Sequence, residues 1–224
     1  DGGVNANAFF NAKAKGNYYA GLDIKSNSGH VGGWIGHWNG GSTARNLQAR
    51  VGGTGINASD YLGIQVDYLG RVTTPNVPSC SVYNCGFGSS ATSWSSAGSG
   101  SVNGGLVGVA HHNNGNHYST STGYFTAPVA GYYLCNLNVY GKKDNNHGDN
   151  AGYWWGYFQK NGGDYAGNYI MEAYYNSGDY DQGASISSII YLAANDTVRP
   201  YCGSYIHGIS VYGPNTSFSC HLLG

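Results

Sequence analysis

The sequence predicts an all-β protein in two units: a small Gly-rich β module over residues 1–78, then a sandwich of antiparallel strands over residues 79–224. Helix signals are nearly absent, because Glu occurs once and no segment sustains apolar residues at three-and-four spacing. Short β-rich runs punctuated by Gly, Asn and Ser fill the chain instead, and 38 of its residues are Gly. In the second half these runs alternate and recur at the spacing of a sandwich.

Taken in order, "GLDIKSNSGHVGGWIGHWNGG" and "NLQARVGGTG" offer strands too short and too Gly-interrupted to bury a core in one chain, which predicts that the first module trimerises. "YLGIQVDYLGRVTTP", Tyr61 to Pro75, alternates over "GIQVD" and turns at "YLGR", as a hairpin closing the module would. Pro75 and Pro78 then punctuate the boundary. "FGSSATSWSSAGSGSVNGG", Phe87 to Gly105, has linker composition but lies between strands, so a long surface loop or irregular hairpin is expected there. The strand series that follows is "GYFTAP", "GYYLCNLNVY", "YWWGYFQK", "ASISSIIYL", "DTVRPYCG" and "TSFSCHLL".

Composition excludes several functions. Ten Lys plus Arg against eleven Asp plus Glu give a net charge of −1, so no electrostatic footprint exists for nucleic acid or an anionic membrane. No apolar stretch approaches the roughly 18 residues of a membrane span. The opening "DGGVNANAFF" lacks Met and a charged-then-apolar leader, which predicts a processed chain or a piece of a longer one. Cys80, Cys85, Cys135, Cys202 and Cys220 are an odd, scattered set that outlines neither a disulfide scaffold nor a zinc site. They read as buried small hydrophobes, with a Cys80–Cys85 or Cys202–Cys220 bridge left open.

The stretch "YSTSTGYFTAPVAGYYLC", Tyr118 to Cys135, resembles the signature of the complement component one-q globular head family: Gly123, Phe125, Thr126, Ala127, Pro128, Gly131 and Tyr133 match in order. "YFQKNG", "YLAANDTVRPYC" and "TSFSCHLL" resemble later family segments, with Asn195 and Cys220 standing where Gly is usual. Asn tolerates the left-handed turn geometry that Gly supplies there. The resemblance covers residues 79–224 and implies a ten-stranded jelly roll, shaped like tumour necrosis factor, that forms a homotrimer and binds without catalysis. No collagen-like Gly-x-y repeat accompanies it. "LGIQVDYLGRVTTPNVPSCSVYN", Leu62 to Asn84, is similar to the junction in bacteriophage fibre and structural proteins where a β module ends and a head of this family begins.

"GYWWGYFQKNG" sets Tyr153, Trp155 and Tyr157 on one side of a strand and Trp154, Gly156 and Phe158 on the other. With both sides apolar, the run reads as core and trimer interface rather than a sugar-stacking platform, together with Phe125, Tyr133 and Phe218. Ligand contacts then fall to Tyr-, Asn-, Gly- and Asp-rich loops carrying Tyr165, Tyr169, Tyr174, Tyr175, Tyr180, Tyr205, His207 and Tyr212. Antibody loops share that composition, and it suits sugars; the competing reading is solvated turns with tyrosine lids on the core. His111, His112 and His117 fit no standard tetrahedral metal spacing. Asp144, Asp149, Asp179 and Asp181 offer oxygen ligands to calcium without forming the twelve-residue calcium loop, so no metal ligand is assigned.

These readings lead to a trimeric, non-enzymatic fibre or receptor-binding protein on a phage virion surface, docked to other virion proteins and attaching to a host-surface glycan or protein. Three alternatives stand beside it: a purely structural virion component without ligand, a secreted animal lectin of the same head family, and a glycan depolymerase. The acceptor patterns at Asn57, Asn195 and Asn215 favour the secreted lectin. Against the depolymerase, Glu172 is the sole Glu and no Gly-x-Ser-x-Gly elbow is present.

Overall fold

The computed structural model describes residues 20–25, 31–39, 45–51, 61–66, 71–74, 76–96, 102–143, 152–164, 173–175, 182–205 and 209–224. The chain divides into two compact units, Asp1–Asn76 and Val77–Gly224.

In the first unit, β1 (Ala20–Lys25), β2 (Val31–Asn39), β3 (Arg45–Val51), β4 (Tyr61–Val66) and β5 (Val72–Thr73) pair in chain order as one antiparallel meander. β4 and β5 pair antiparallel as the expected hairpin requires, with Gln65 opposite Thr73 and Val66 opposite Val72. Register shifts at Ile24/Lys25 and Ala49/Arg50 bend the sheet. Ile64 and Val72 stay exposed, as a single sheet that covers little of its own apolar surface would leave them.

Among the described residues, the regular structure of the second unit is antiparallel strand apart from one 3-10 turn, Gly213–Asn215. Its strands are β6 (Ser79–Phe87), β7 (Trp94–Ser96), β8 (Val102–Asn114), β9 (Phe125–Thr126), β10 (Gly131–Lys143), β11 (Gly152–Lys160), β12 (Gly163–Asp164), β13 (Ala173–Tyr175), β14 (Gln182–Leu192), β15 (Thr197–Tyr205), β16 (Ile209–Tyr212) and β17 (Ser217–Leu222). Two arrays carry the fold. One runs β6–β17–β10–β14 and the other β9–β15–β11–β13. The first strand of the unit lies beside its last, and β10 and β11 each pair with a strand much later in the chain. Such long-range antiparallel pairing is the winding of a jelly roll. The long β8 ties the arrays together, pairing with β15 through Val102–Gly105 and with β6 from Leu106 to Asn114.

The core lies between the arrays because the inner positions of each strand are apolar. In β10, Tyr133, Cys135, Leu137 and Val139 are buried while Tyr132 and Asn138 are exposed. Rings from opposite arrays meet: Phe158 of β11 lies 6.1 Å from Phe218 of β17, and Phe125 of β9 lies 5.7 Å from Tyr133 of β10. Two buried tyrosines keep their hydroxyls paired, Tyr133 donating to the Val129 carbonyl at 2.8 Å and Tyr118 accepting from the Gly108 amide at 3.1 Å.

Two sequence readings gain detail here. The Ser/Gly-rich stretch after Phe87 is the expected irregular connection, since β6 and β8 on either side of it pair antiparallel with Phe87 opposite Leu106, and it holds a short strand, β7, paired with β16. Ser96 and Ser210 hydroxyls meet there at 2.6 Å, and Ser95 receives the Phe87 amide, so serines that look like linker are pairing groups. Neither disulfide left open by sequence forms, for all five cysteines are free and buried. Cys80 and Cys85 lie on one strand, where a rise of about 3.3 Å per residue carries them past bridging distance.

Paired turns fix the ends of β11 and β14. Asn161 and Asn195 adopt φ of 51° and 71°, so Asn195 supplies the left-handed geometry expected of it. Asp196 bridges the turns, receiving Asn161 Nδ2 at 2.8 Å, the Ala193 amide at 2.9 Å and Lys160 Nζ at 3.0 Å. Those bonds, Asn161 first, lower its carboxyl to a pKa of about 2. Among the described residues no helix is long and apolar enough to cross a membrane.

Candidate ligand face

The alternation of β11 divides the aromatic run. Trp154 and Phe158 point into the core and are fully buried. On the other side, register sets Tyr157 opposite Tyr201 and Gln159 opposite Arg199, while Tyr153 is paired with both Tyr205 and Tyr174. The outer face of β9–β15–β11–β13 thus gathers aromatic positions from three parts of the chain.

Arg199 is the centre of the part whose side chains are described. Its guanidinium carbon lies 4.4 Å from the centroid of the Tyr124 ring and 5.0 Å from that of Tyr201. Nε donates to Gln159 Oε1 at 2.8 Å, and the Tyr124 hydroxyl donates to the same oxygen at 3.5 Å. Gly105 makes room for the group, since a Cβ there would sit 2.6 Å from Arg199 Nη1. Among the described residues no carboxylate pairs with Arg199. A guanidinium keeps its charge at any ordinary pH and presents donors in a planar fork, so this one is oriented by two rings and a glutamine and has donors to spare. Tyr124, Arg199, Tyr201 and Trp155 are half-buried, which leaves part of each group at the surface. Such a surface can stack a sugar ring and hydrogen-bond its hydroxyls or an acidic substituent.

Of the residues expected in the core or interface, Phe125, Tyr133, Trp154, Phe158 and Phe218 are buried among one another's neighbours. Tyr157 is covered within the chain itself, with Tyr201 at 5.1 Å between ring centroids. Trp155 is half-buried, and the side chain of Tyr153 lies outside the described residues. Of the loop candidates, Tyr165, Tyr169, Tyr180 and His207 lie outside the described residues, and only the backbone positions of Tyr174, Tyr175 and Tyr205 are described. Tyr212 is half-buried against Tyr140, ring centroids 6.2 Å apart. Sequence reasoning passed over Tyr124, Arg199 and Tyr201. A signal for them existed: with Val198 and Cys202 directed inward, Arg199 and Tyr201 must share the outer side of one strand.

The histidines diverge. His111 meets Tyr83 edge-on at 6.2 Å, His112 contacts Ser79 Oγ at 2.9 Å through Nε2, and His117 lies by Phe125, where burial lowers its pKa. Among the described residues no group of three metal-ligating side chains converges, and no acidic group orients the His112 ring as a nucleophile's base requires. Asp144, Asp149, Asp179 and Asp181 lie outside the described residues.

The outer face of the other array is different. Tyr132, Ile189 and Tyr191 are 57%, 59% and 48% exposed. Tyr132 and Tyr191 are opposed across β10 and β14 with rings 5.5 Å apart, and Leu134 stands opposite Ile189 beside them. These exposed side chains form an apolar patch on the outer face of the sheet.

No family model matches the chain, and no curated protein matches it in sequence. Among solved structures, the globular domain of zebrafish complement 1qA is 12% identical, with a TM-score of 0.40 over 66% of this chain and 98% of that one. Murine APRIL at pH 8.5 is 9% identical, with a TM-score of 0.41 over 65% of this chain and 98% of that one. Eiger TNF from S. frugiperda is 11% identical, with a TM-score of 0.40 over 66% of this chain and 94% of that one. Likenesses this distant carry no weight for ligand or partner, and the jelly-roll assignment rests on the strand order.

Proposed function

We propose that the chain is a non-enzymatic, self-associating attachment protein whose ligand face is the outer surface of β9–β15–β11–β13 and whose ligand is a surface glycan. The observation that carries this reading is Arg199, stacked between Tyr124 and Tyr201 and without a carboxylate partner among the described residues. Register extends the face toward Tyr153, Tyr174 and Tyr205. The tyrosine-rich loops carrying Tyr165, Tyr169, Tyr175, Tyr180, His207 and Tyr212 would widen it, and calcium held by their aspartates is part of the same proposal. The patch of Tyr132, Ile189 and Tyr191 supports association into the homotrimer expected from sequence. Placement on a phage virion as a fibre head, with residues 1–78 as shaft or collar, rests on the "GRVTTPNVPS" junction.

The test is binding of the purified full chain to a glycan array and to intact candidate host cells, beside Arg199→Met and a Tyr174, Tyr175, Tyr180 alanine variant. Binding that disappears in Arg199→Met with assembly size unchanged supports the reading. Wild-type protein that binds neither glycans nor cells overturns it in favour of a structural virion component.

A further inference from the structure

All five cysteines of the chain are in the buried core, and three of them stand in one row across adjacent strands. Cys135 of β10 is directly opposite Cys220 of β17, and Cys220 is directly opposite Cys80 of β6. The row is not symmetrical. Cys135 and Cys220 bring their Sγ atoms to 3.4 Å, and among the described residues no other cysteine pair makes such a contact.

From this geometry we propose that Cys135 and Cys220 are a latent dithiol that oxidises to a cross-strand disulfide, stapling the last strand of the chain to the centre of its sheet. Directly opposed residues of an antiparallel pair have Cα atoms about 4.5 to 5.5 Å apart, inside the window of roughly 4.4 to 6.8 Å that a disulfide spans. Side-chain rotation therefore suffices to close the sulfurs to bonding distance. The oxidant is a low-molecular-weight disulfide such as oxidised glutathione. One cysteine thiolate attacks it, forming a mixed disulfide and releasing one small thiol; the second cysteine then displaces the other. The two cysteines lose two electrons and two protons, and both appear on the two small thiols released.

Burial pushes the Cys220 thiol well above its ordinary pKa, as it does Cys80 to about 12, so the folded core keeps these groups protonated and slow to exchange. Oxidation is accordingly expected during folding or transient opening of β17, and once made the bond is shielded from reductants. Cys80, across the row, is the competitor that a mis-paired product would use.

The experiment is refolding of the full chain in glutathione redox buffer against refolding in excess reductant, followed by thiol counting, intact mass and non-reducing peptide mapping. The expected product has lost two of its five thiols, maps to Cys135–Cys220 alone, and unfolds at higher denaturant than the reduced form. Cys80→Ala should form the same bond, and Cys135→Ala should not. Five free thiols after oxidative refolding, or a bond that maps to Cys80, overturns the proposal; because wild-type protein is decisive, a variant that fails to fold does not blur the result.

Discussion

At the residue scale, neighbouring tryptophans differ in burial, Trp154 being fully buried and Trp155 half-buried. Trp154 is fully buried in the core, so Trp154→Ala should cost about 3–5 kcal/mol, measured as a lower urea midpoint. On the proposed ligand face, Arg199 would act through the shape of its head group. Arg199→Lys keeps the charge but loses the planar fork and the stacking between two rings, so it should weaken binding nearly as much as Arg199→Met. A lysine variant that binds like wild type would reduce the site to a point charge. The inward halves of strands were legible from alternation alone, as in Tyr133, Cys135, Leu137 and Val139. The same alternation places Arg199 on the outer side of its strand, but not its contacts, because Tyr124 and Gln159 come from other segments of the chain and only the fold brings them together.

At the element scale, the paired turns after β11 and β14 make an acid-sensitive clasp. Asp196 has a folded pKa of about 2, below the ordinary 3.8, so its contribution is fully present above the ordinary value and is lost as pH falls through about 2. Asp196→Asn should flatten that part of the stability curve between about pH 4 and 2, read by denaturant melts across pH. The clasp was half visible in sequence: Asn195 could be assigned its left-handed turn, yet its coupling to Asn161 joins positions far apart in the chain. The same limit hid β7, whose Ser95 and Ser96 carry no apolar alternation and become a strand only where β16 offers an edge.

At the scale of the whole molecule, the two outer faces of the jelly roll differ, and the proposed division of labour follows from that difference. Fully burying an apolar side chain is worth roughly 1.5–3 kcal/mol, and Tyr132, Ile189 and Tyr191 are about half exposed, so each would contribute a part of that on association. Replacing Tyr132, Ile189 and Tyr191 together by Ser should therefore lower the assembly to monomers in sedimentation equilibrium while leaving glycan contacts on the opposite array intact. An assembly of unchanged mass would move the interface elsewhere. The jelly-roll winding was expected from the resemblance of the "GYFTAPVAGYY" stretch to a known head family, and the strand order agrees with that expectation. Which face is apolar and open was not legible, since "SISSIIYL" gives no sign of whether Ile189 or Ile190 turns outward until its register with β10 is known.

The most direct test of the ligand face is Trp155→Ala, assayed for glycan-array binding and solution mass on one preparation. The inward side of the aromatic run is core, and its outward side, with Trp155 as its half-buried member, is proposed to meet a sugar rather than another subunit. Loss of glycan binding with an unchanged, folded assembly is the predicted result. Dissociated or unfolded protein, or retained binding, would contradict it and return the run to the subunit interface.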